Sequence, residues 1–279
     1  MVRYNQAYHG SDHVGYIQKN GKIVKKIYKG DELVYQVGFD TFTINAGTTA
    51  QAWTVPMGVE KIHIDCVASR GANGSAGHSG GTNTTNGGKG GRVQCDMDVT
   101  GGEVLYITVG AIPTHQAYAS YNASDIRKGG TAYSNRVLVA GGGGSGCFNS
   151  GDSSRTALTA GASGGGTTGA SSETASRRAV ANGATGGTQS AGGTGGHNGT
   201  LGMGGGGVEY WAWSGAGGAG YYGGGGGNSA AGQHSGDRYR AASGGGGGSS
   251  YANTGVCSNV VHTQGYRNGA GYITISYVW

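Results

Sequence analysis

Apolar and polar residues alternate along two stretches between residues 60 and 99. In EKIHIDCVA the apolar positions are Ile62, Ile64, Cys66 and Ala68, and Lys61, His63 and Asp65 lie between them. The stretch RVQCDMDV repeats the pattern with Val93, Cys95, Met97 and Val99. A period of two is that of a strand with one buried face, so each stretch predicts a strand.

Further strands are predicted by EVLYITVG, NRVLVA and the closing GYITISYVW, with one or two more in FTINAG and AWTVP. No helical pattern connects these stretches, so neighbouring strands are expected to be antiparallel. Together they predict an antiparallel β-sandwich of about seven strands.

The first 38 residues predict a small β-hairpin module. GYIQK and KIVKKIY are separated by Asn20-Gly21, a dipeptide that favours the type I′ hairpin turn. Lys29-Gly30-Asp31 predicts a second turn before ELVYQV. Hairpins of this size bury little surface by themselves, so we expect the module to attach to another surface.

Glycine falls on every third position in several tracts. In GGTGGHNGTLGMGG, residues 192–205, the register is Gly193, Gly196, Gly199, Gly202 and Gly205. RGANGSAGHSGG and GAGGAGYYGGGGG keep the same spacing. A period of three is that of the polyproline II conformation, which makes no internal hydrogen bonds. Each tract therefore predicts one extended segment whose amides bond to neighbouring segments.

The composition alone also fits a disordered linker, because the 279 residues include 65 glycines and only 12% are charged. A linker has no glycine register, however, and is normally rich in charged residues or proline. This chain has only 2 prolines. We therefore predict a mainly β domain over 39–279. Polyglycine II helices, covering most of 141–250, would be inserted between the strands of the sandwich as a bundle.

Five of the eight lysines lie in the first module, namely Lys19, Lys22, Lys25, Lys26 and Lys29, and the formal net charge is +5. We predict that these lysines belong to the attachment surface. A nucleic-acid-binding protein would have basic residues spread along a groove with stacking aromatic residues, and the lysines of this chain are not distributed in that way.

The first twenty residues hold no apolar run typical of a secretory signal, and no stretch has the length of a spanning helix. We expect synthesis in a cytoplasm and no membrane insertion.

No constellation of residues predicts catalysis, a metal or a cofactor. GHSGG, residues 77–81, matches the nucleophile-elbow pattern around Ser79, but such matches arise by chance in so glycine-rich a chain. His63 and Asp65 share a strand face and could begin a metal site or a proton relay, but an exposed strand face explains them more simply. The four cysteines are far apart and form no CxxC pair, which predicts reduced, structural thiols. We expect a protein that is not an enzyme.

Bulky aromatic residues crowd into GVEYWAWSGAGGAGYYGG, where they are Tyr210, Trp211, Trp213, Tyr221 and Tyr222. Exposed aromatic residues with polar neighbours are typical of a binding surface for sugars or proteins. The alternative is a small satellite core beneath the loop. A second predicted contact loop, GQHSGDRYRAASG, carries His234, Asp237, Arg238, Tyr239 and Arg240.

Four segments occur in an order that resembles the glycine-rich domain of bacteriophage tail and tail-fibre proteins: TVPMGVEKIHIDCVASRGANG, GGKGGRVQCDMDVTGGEVLYITVG, VLVAGGGGSG and GAGYITISYVW. The resemblance covers about residues 39–279. IVKKIYKGDELVYQ is also similar to a short module of phage tail and other virion proteins. The polyglycine II tip adhesins of T-even-like phages are similar too, but they have a fibre-docking region where this chain has its basic hairpin module.

The resemblance implies a virion protein, made in the host cytoplasm and carried on a tail or other appendage. Its loops would bind a host surface glycan or an outer-membrane protein, and its first module would contact other virion proteins. It also implies several copies per particle or a homo-oligomer. The alternative is a purely structural virion component, such as a collar, tail or capsid-decorating protein without a receptor. Ice binding is a third possibility, but it predicts rows of threonine and an export signal, and neither is readable here.

Overall fold

The computed structural model describes residues 18–19, 22–23, 26–29, 31–36, 39–75, 83–118, 121–151, 153–210 and 212–278. Over these residues the fold is mainly β, and its helical content is two single 3-10 turns, Tyr133–Asn135 and Ser153–Arg155. The strands are β1 Gln18–Lys19, β2 Lys22–Ile23, β3 Lys26–Lys29, β4 Glu32–Gln36, β5 Phe39–Asn45, β6 Gly47–Thr54, β7 Lys61–Val67, β8 Asn83–Thr84, β9 Gly90–Asp98, β10 Val104–Val109, β11 Ser124–Lys128, β12 Arg136–Ala140, β13 Phe148–Asn149, β14 Thr156–Leu158, β15 Ala175–Ser176, β16 Val180–Ala181, β17 Ser229–His234, β18 Asp237–Ala242, β19 Tyr251–Ala252, β20 Cys257–Arg267 and β21 Tyr272–Val278.

Two five-stranded sheets contain the strands that the alternating pattern predicts. The first sheet has the order β20-β9-β7-β21-β5, and the second has the order β19-β12-β11-β10-β6. Every neighbouring pair in both sheets is antiparallel, as predicted. The prediction of about seven strands was too low, because β11, β19 and β20 have no clear alternation in the sequence.

Both sheets contribute buried side chains to one apolar core. Ile62 and Ile64 of the first sheet lie in the same cluster as Leu105, Ile107 and Ile126 of the second, and all five are completely buried. Each such side chain contributes roughly 1.5–3 kcal/mol on burial. The predicted inward and outward faces of β7 and β9 are confirmed, since buried residues alternate with exposed or half-buried ones.

Two antiparallel strand pairs precede the sheets, as the sequence predicts for the first module. In β1 and β2, Lys19 pairs with Lys22, which leaves a two-residue connection at Asn20-Gly21. In the register of β3 and β4, Lys29 lies opposite Glu32. The two residues of the first connection lie outside the described residues.

The glycine-rich region, residues 141–250 together with 69–75 and 83–90, is built from extended segments that bond sideways. Amides three positions apart on one segment donate to carbonyls three positions apart on its neighbour. Segment 142–148 bonds in this way to segment 213–219, through Phe148 N to Trp213 O at 2.9 Å, Ser145 N to Ala216 O at 2.8 Å and Gly142 N to Ala219 O at 2.7 Å. Segment 215–221 does the same with segment 243–249, through Gly215 to Ser243, Gly218 to Gly246 and Tyr221 to Ser249.

Many glycines of this region leave no space for a side chain. An ideal Cβ on Gly74 would lie 1.6 Å from the carbonyl oxygen of Cys147, and one on Gly245 would lie 2.0 Å from that of Ala216. The neighbouring backbone therefore occupies the position that a side chain would need. Glycine at these positions is required by the close approach of the segments.

The prediction that each glycine tract is a single segment is wrong in two tracts. Residues 192–205 fold back on themselves, since Gly199 N donates to Gly193 O at 2.8 Å. A turn follows at 200–203, where Gly202 has φ +85°. The tract 215–227 also reverses, because Gly224 N donates to Gly218 O at 2.9 Å. The three-residue spacing of glycine continues through turns and therefore does not mark where a segment ends.

One buried asparagine joins the glycine-rich region to the second sheet. Asn122, which precedes β11, is completely buried. Its Nδ2 donates to the carbonyls of Gly143 at 2.8 Å and Arg70 at 3.2 Å, and its Oδ1 accepts from Ala219 N at 2.9 Å. A single side chain thus fixes the position of three segments.

Candidate functional site

The candidate site is the end of the glycine-rich region that lies away from the sheets, which we call the distal end. Segment 141–147 continues outward from β12 and reaches Phe148, whose backbone forms an isolated bridge with Trp213. Ala212 N donates to Ser229 Oγ at 3.2 Å, which brings β17 to the same place. β14 pairs with β18 in parallel. Four stretches of the chain meet there: 147–158, 175–181, 208–214 and 228–242.

The stretch predicted as the second contact loop is a β-hairpin. β17 and β18 pair from Ser229 opposite Ala242 to His234 opposite Asp237. The connection is Ser235-Gly236, with φ of 50° and 84°, and two positive φ angles are typical of a type I′ turn. His234, Arg238, Tyr239 and Arg240 therefore lie on strands, and the prediction of a loop was wrong. The Ser-Gly dipeptide is the sequence signal that could have indicated the hairpin.

The hairpin lies beside arginines from distant parts of the sequence. Arg155 Nη1 lies 3.1 Å from Asp237 Oδ1, and Arg240 Nη1 donates to Asn149 Oδ1 at 3.0 Å. Arg178 lies over the ring of Tyr239 at 5.2 Å. A cavity of about 350 Å³ opens between Arg155, Asp237, Arg238 and Arg240. Arg155, Arg177 and Arg178 are far from residue 240 along the chain, so the sequence does not indicate that they belong to this site.

The charge of the distal end is positive over the described residues. Its five arginines are Arg155, Arg177, Arg178, Arg238 and Arg240, and the described carboxylates of the same part of the chain are Glu173, Glu209 and Asp237. Asp152 belongs to this stretch of sequence and lies outside the described residues. Arginine side chains favour ligands with carboxylate or phosphate groups.

The predicted aromatic loop divides into an exposed tip and an anchored base. Tyr210 is 71% exposed. Trp213 packs edge-on against Phe148 with 5.9 Å between ring centroids, and lies 6.3 Å from the ring of His115. The hydroxyl of buried Ser214 accepts from Val208 N at 2.6 Å and closes the base of the turn. Trp211 lies outside the described residues.

Tyr221 and Tyr222 lie at the other end of the segment that begins at Trp213, next to the second sheet. The ring of Tyr221 stacks on that of Tyr251 at 4.1 Å, and Arg136 lies over its ring at 5.1 Å. Tyr222 N donates to Ser249 Oγ at 3.1 Å. The structure thus places these two tyrosines in a satellite cluster and not with Tyr210 and Trp213.

Other residues singled out in the sequence have no such clustering. Lys19, Lys22, Lys26 and Lys29 lie on strands of the first module, whereas Lys25 and the motif around Ser79 lie outside the described residues. His63 Nδ1 lies 2.8 Å from Asp96 Oδ1, and Asp65 forms a two-point ion pair with Arg92. Within the described part of the chain, no group of three His, Cys, Asp or Glu residues could hold a metal ion.

All four cysteines are buried and unpaired, which confirms the prediction of free thiols. Burial raises the pKa of Cys147 to about 12 and also raises that of Cys66. These thiols are therefore protonated at neutral pH and act as small apolar side chains.

No family model matches this chain, and no curated protein matches it. Over the described residues, helices long and apolar enough to cross a bilayer are absent.

Proposed function

We propose that this protein is a bacteriophage virion appendage protein, of the tail-fibre or tail-tip type, that attaches to the host cell through its distal end. The single observation behind the proposal is that exposed Tyr210 and five arginines belong to separate stretches of the chain that meet at the distal end. The resemblance of four ordered sequence segments to phage tail proteins supports the same function.

We further propose that the two five-stranded sheets form a β-sandwich and that the glycine-rich segments form a bundle of polyglycine II helices. The three-residue spacing of the sideways hydrogen bonds supports this interpretation, because a polyproline II-type helix has three residues per turn. The glycines that lie against neighbouring backbones support the same interpretation. Binding residues on such a support would lose little conformational entropy when a receptor is bound.

The receptor class that fits the distal end is a host surface glycan or an outer-membrane protein with exposed anionic groups. Arginine provides paired donors for carboxylate and phosphate groups, and an exposed tyrosine ring offers a flat apolar face. Weak contacts of this kind gain strength when several copies of the protein act together on one particle. The first module would hold the protein to other virion proteins.

Adsorption of assembled phage tests the proposal. Particles that carry Tyr210→Ser together with Arg238→Ser should adsorb at least tenfold more slowly than wild-type particles, whereas Glu60→Gln, an exposed change near β7, should adsorb normally. Antibody labelling in electron micrographs should place the chain on an appendage.

Normal adsorption of labelled particles with the double variant would favour the alternative, a purely structural virion component. If purified particles carried no label at all, both virion functions would be excluded.

A further inference from the structure

A cavity of about 630 Å³ lies on the outer face of the second sheet, away from the distal end. Ile126 of β11 is buried in the apolar core, and side chains alternate along a strand. Asp125 and Arg127 on either side of it therefore point to the outer face. The walls of the cavity include Thr108 of β10, Arg136 of β12 and the glycine-rich turn at Gly202.

The charges in this cavity do not cancel. Asp125 and Arg127 pair with each other through two hydrogen bonds of 2.7 and 2.9 Å. Arg136, which is only 4% exposed, donates to three backbone carbonyls, those of Tyr133, Gly220 and Tyr221. The carboxylate of Asp125 pairs with Arg127, and none of the ion pairs found among the described residues includes Arg136. Two cations and one anion leave a net charge of about +1 in a low-dielectric site.

A buried charge without a counter-ion is costly, and an anionic ligand would offset that cost. Burial also lowers the pKa of Arg136, and the charge of Asp125 opposes this shift only in part. Three of the five N–H groups of Arg136 are used by the carbonyls, so two are left for a ligand. Arg127 lies directly opposite Arg136 in the β11–β12 register. The guanidinium groups of both lie over the ring of Tyr133, at 5.0 and 4.8 Å from its centroid, so both border the same wall of the cavity.

The other walls suit a sugar ring better than a bare ion. The cavity is much larger than a phosphate and falls in the usual range of small-molecule sites, roughly 300–1,000 Å³. Tyr121 lines it and is 56% exposed, so its ring offers an apolar face. Thr108 and Thr131 bring hydroxyl groups that can bond to those of a sugar.

We propose that this cavity binds an acidic sugar, a pyranose that carries one carboxylate, with the carboxylate at Arg136 and Arg127 and the ring against Tyr121. The proposal does not rest on the virion function, because it concerns a different part of the molecule and a directly measurable binding event.

Titration of the full-length protein by two-dimensional NMR tests the ligand class. The probes are methyl glycosides of uronic acids, the matching neutral methyl hexosides and inorganic phosphate. We expect a uronic acid glycoside to bind at least tenfold more tightly than its neutral counterpart and than phosphate, with shifts confined to residues around the cavity. Equal binding of the neutral sugar, equal binding of phosphate, or no binding of any uronic acid at millimolar concentration would each overturn the proposal.

A pair of tyrosine variants tests the place of binding without disturbing the arginines that hold the turn at 220–221. Tyr121→Ala should weaken uronic acid binding about tenfold. Tyr118→Ala is the matched control, because Tyr118 lies in the same connection, is 64% exposed and does not line the cavity. The Tyr118→Ala variant should bind the uronic acid glycoside as tightly as the wild type does. Equal effects of the two variants would contradict the assignment of the site to this cavity.

Discussion

Phe148 and Trp213 exchange two backbone hydrogen bonds of 2.9 Å each, and their rings meet edge to face. The bond pair joins two segments that are far apart in sequence at the point where both reach the distal end. Trp213 is therefore part of the support, whereas Tyr210, three residues earlier, is exposed. The two aromatic residues have different environments although the sequence presents them as one cluster.

Substitution of the two residues should distinguish these environments. Trp213→Ala should lower the free energy of unfolding by about 2 kcal/mol, somewhat less than the loss for a completely buried ring. Tyr210→Ala, a change on the surface, should alter it by less than about 0.5 kcal/mol. Urea denaturation followed by circular dichroism measures both, and equal losses would contradict the anchoring of Trp213.

Two adjacent glycines should respond oppositely to alanine. A Cβ on Gly205 would lie 2.1 Å from His197 O, whereas the nearest atom to one on Gly206 is 3.5 Å away. Gly205→Ala should cost about 3 kcal/mol or more, because backbone must move. Gly206→Ala should be neutral or stabilising by up to about 1 kcal/mol, since alanine restricts the unfolded chain. Denaturation midpoints provide the comparison, and similar midpoints for both variants would contradict the close packing of the segments.

Stability should fall as the pH is lowered from 7 to 5, partly because of His262. Its ring is half-buried on β20, Nδ1 has no hydrogen-bond partner among the described residues, and burial lowers its pKa. The unfolded state, with a pKa of about 6.5, then takes up a proton that the folded state does not. His262→Phe should show a weaker dependence of melting temperature on pH. His197→Gln, at an exposed position, should retain most of the wild-type dependence on pH. An unchanged dependence in His262→Phe would contradict the contribution of His262 to the loss of stability.

The four thiols should react only after unfolding. They are all buried, and a thiol reagent needs an accessible thiolate. An assay with an aromatic disulfide reagent at pH 8 should find no rapidly reacting group in the native protein and four in denaturant. Rapid reaction of Cys66, Cys95 or Cys257 under native conditions would show that the apolar core opens readily, and rapid reaction of Cys147 would show the same for the glycine-rich region.

The strands with regular alternation could be predicted from the sequence, and the irregular ones could not. β7 and β9 have single buried faces and were found with their correct orientation. β20 was missed because two register shifts interrupt its pairing with β9, and Asn259 and Gly265 have φ of 52° and 64°. Bulges of this kind place consecutive residues such as Val260 and Val261 out of the two-residue period.

The candidate site was only partly predictable for a different reason. Glycine spacing shows that segments are extended and close to one another, but it carries no information about which segment lies beside which. The meeting of Arg155 and Arg178 with the β17–β18 hairpin, and the pairing of Tyr221 with Tyr251, depend on that order. Side-chain type alone could not separate the tyrosines near the sheet from those at the distal end.

The three-residue repeat of the sideways bonds has a consequence for how such a protein can diversify. In the proposed polyglycine II geometry, a deletion of one or two residues inside a segment would rotate every following amide away from its partner, whereas loss of a full triplet would keep the bonding directions and only shorten the segment. Length changes at the turns carry no such constraint. Related chains should therefore vary freely at the tips, while changes of length within the scaffold should come in multiples of three.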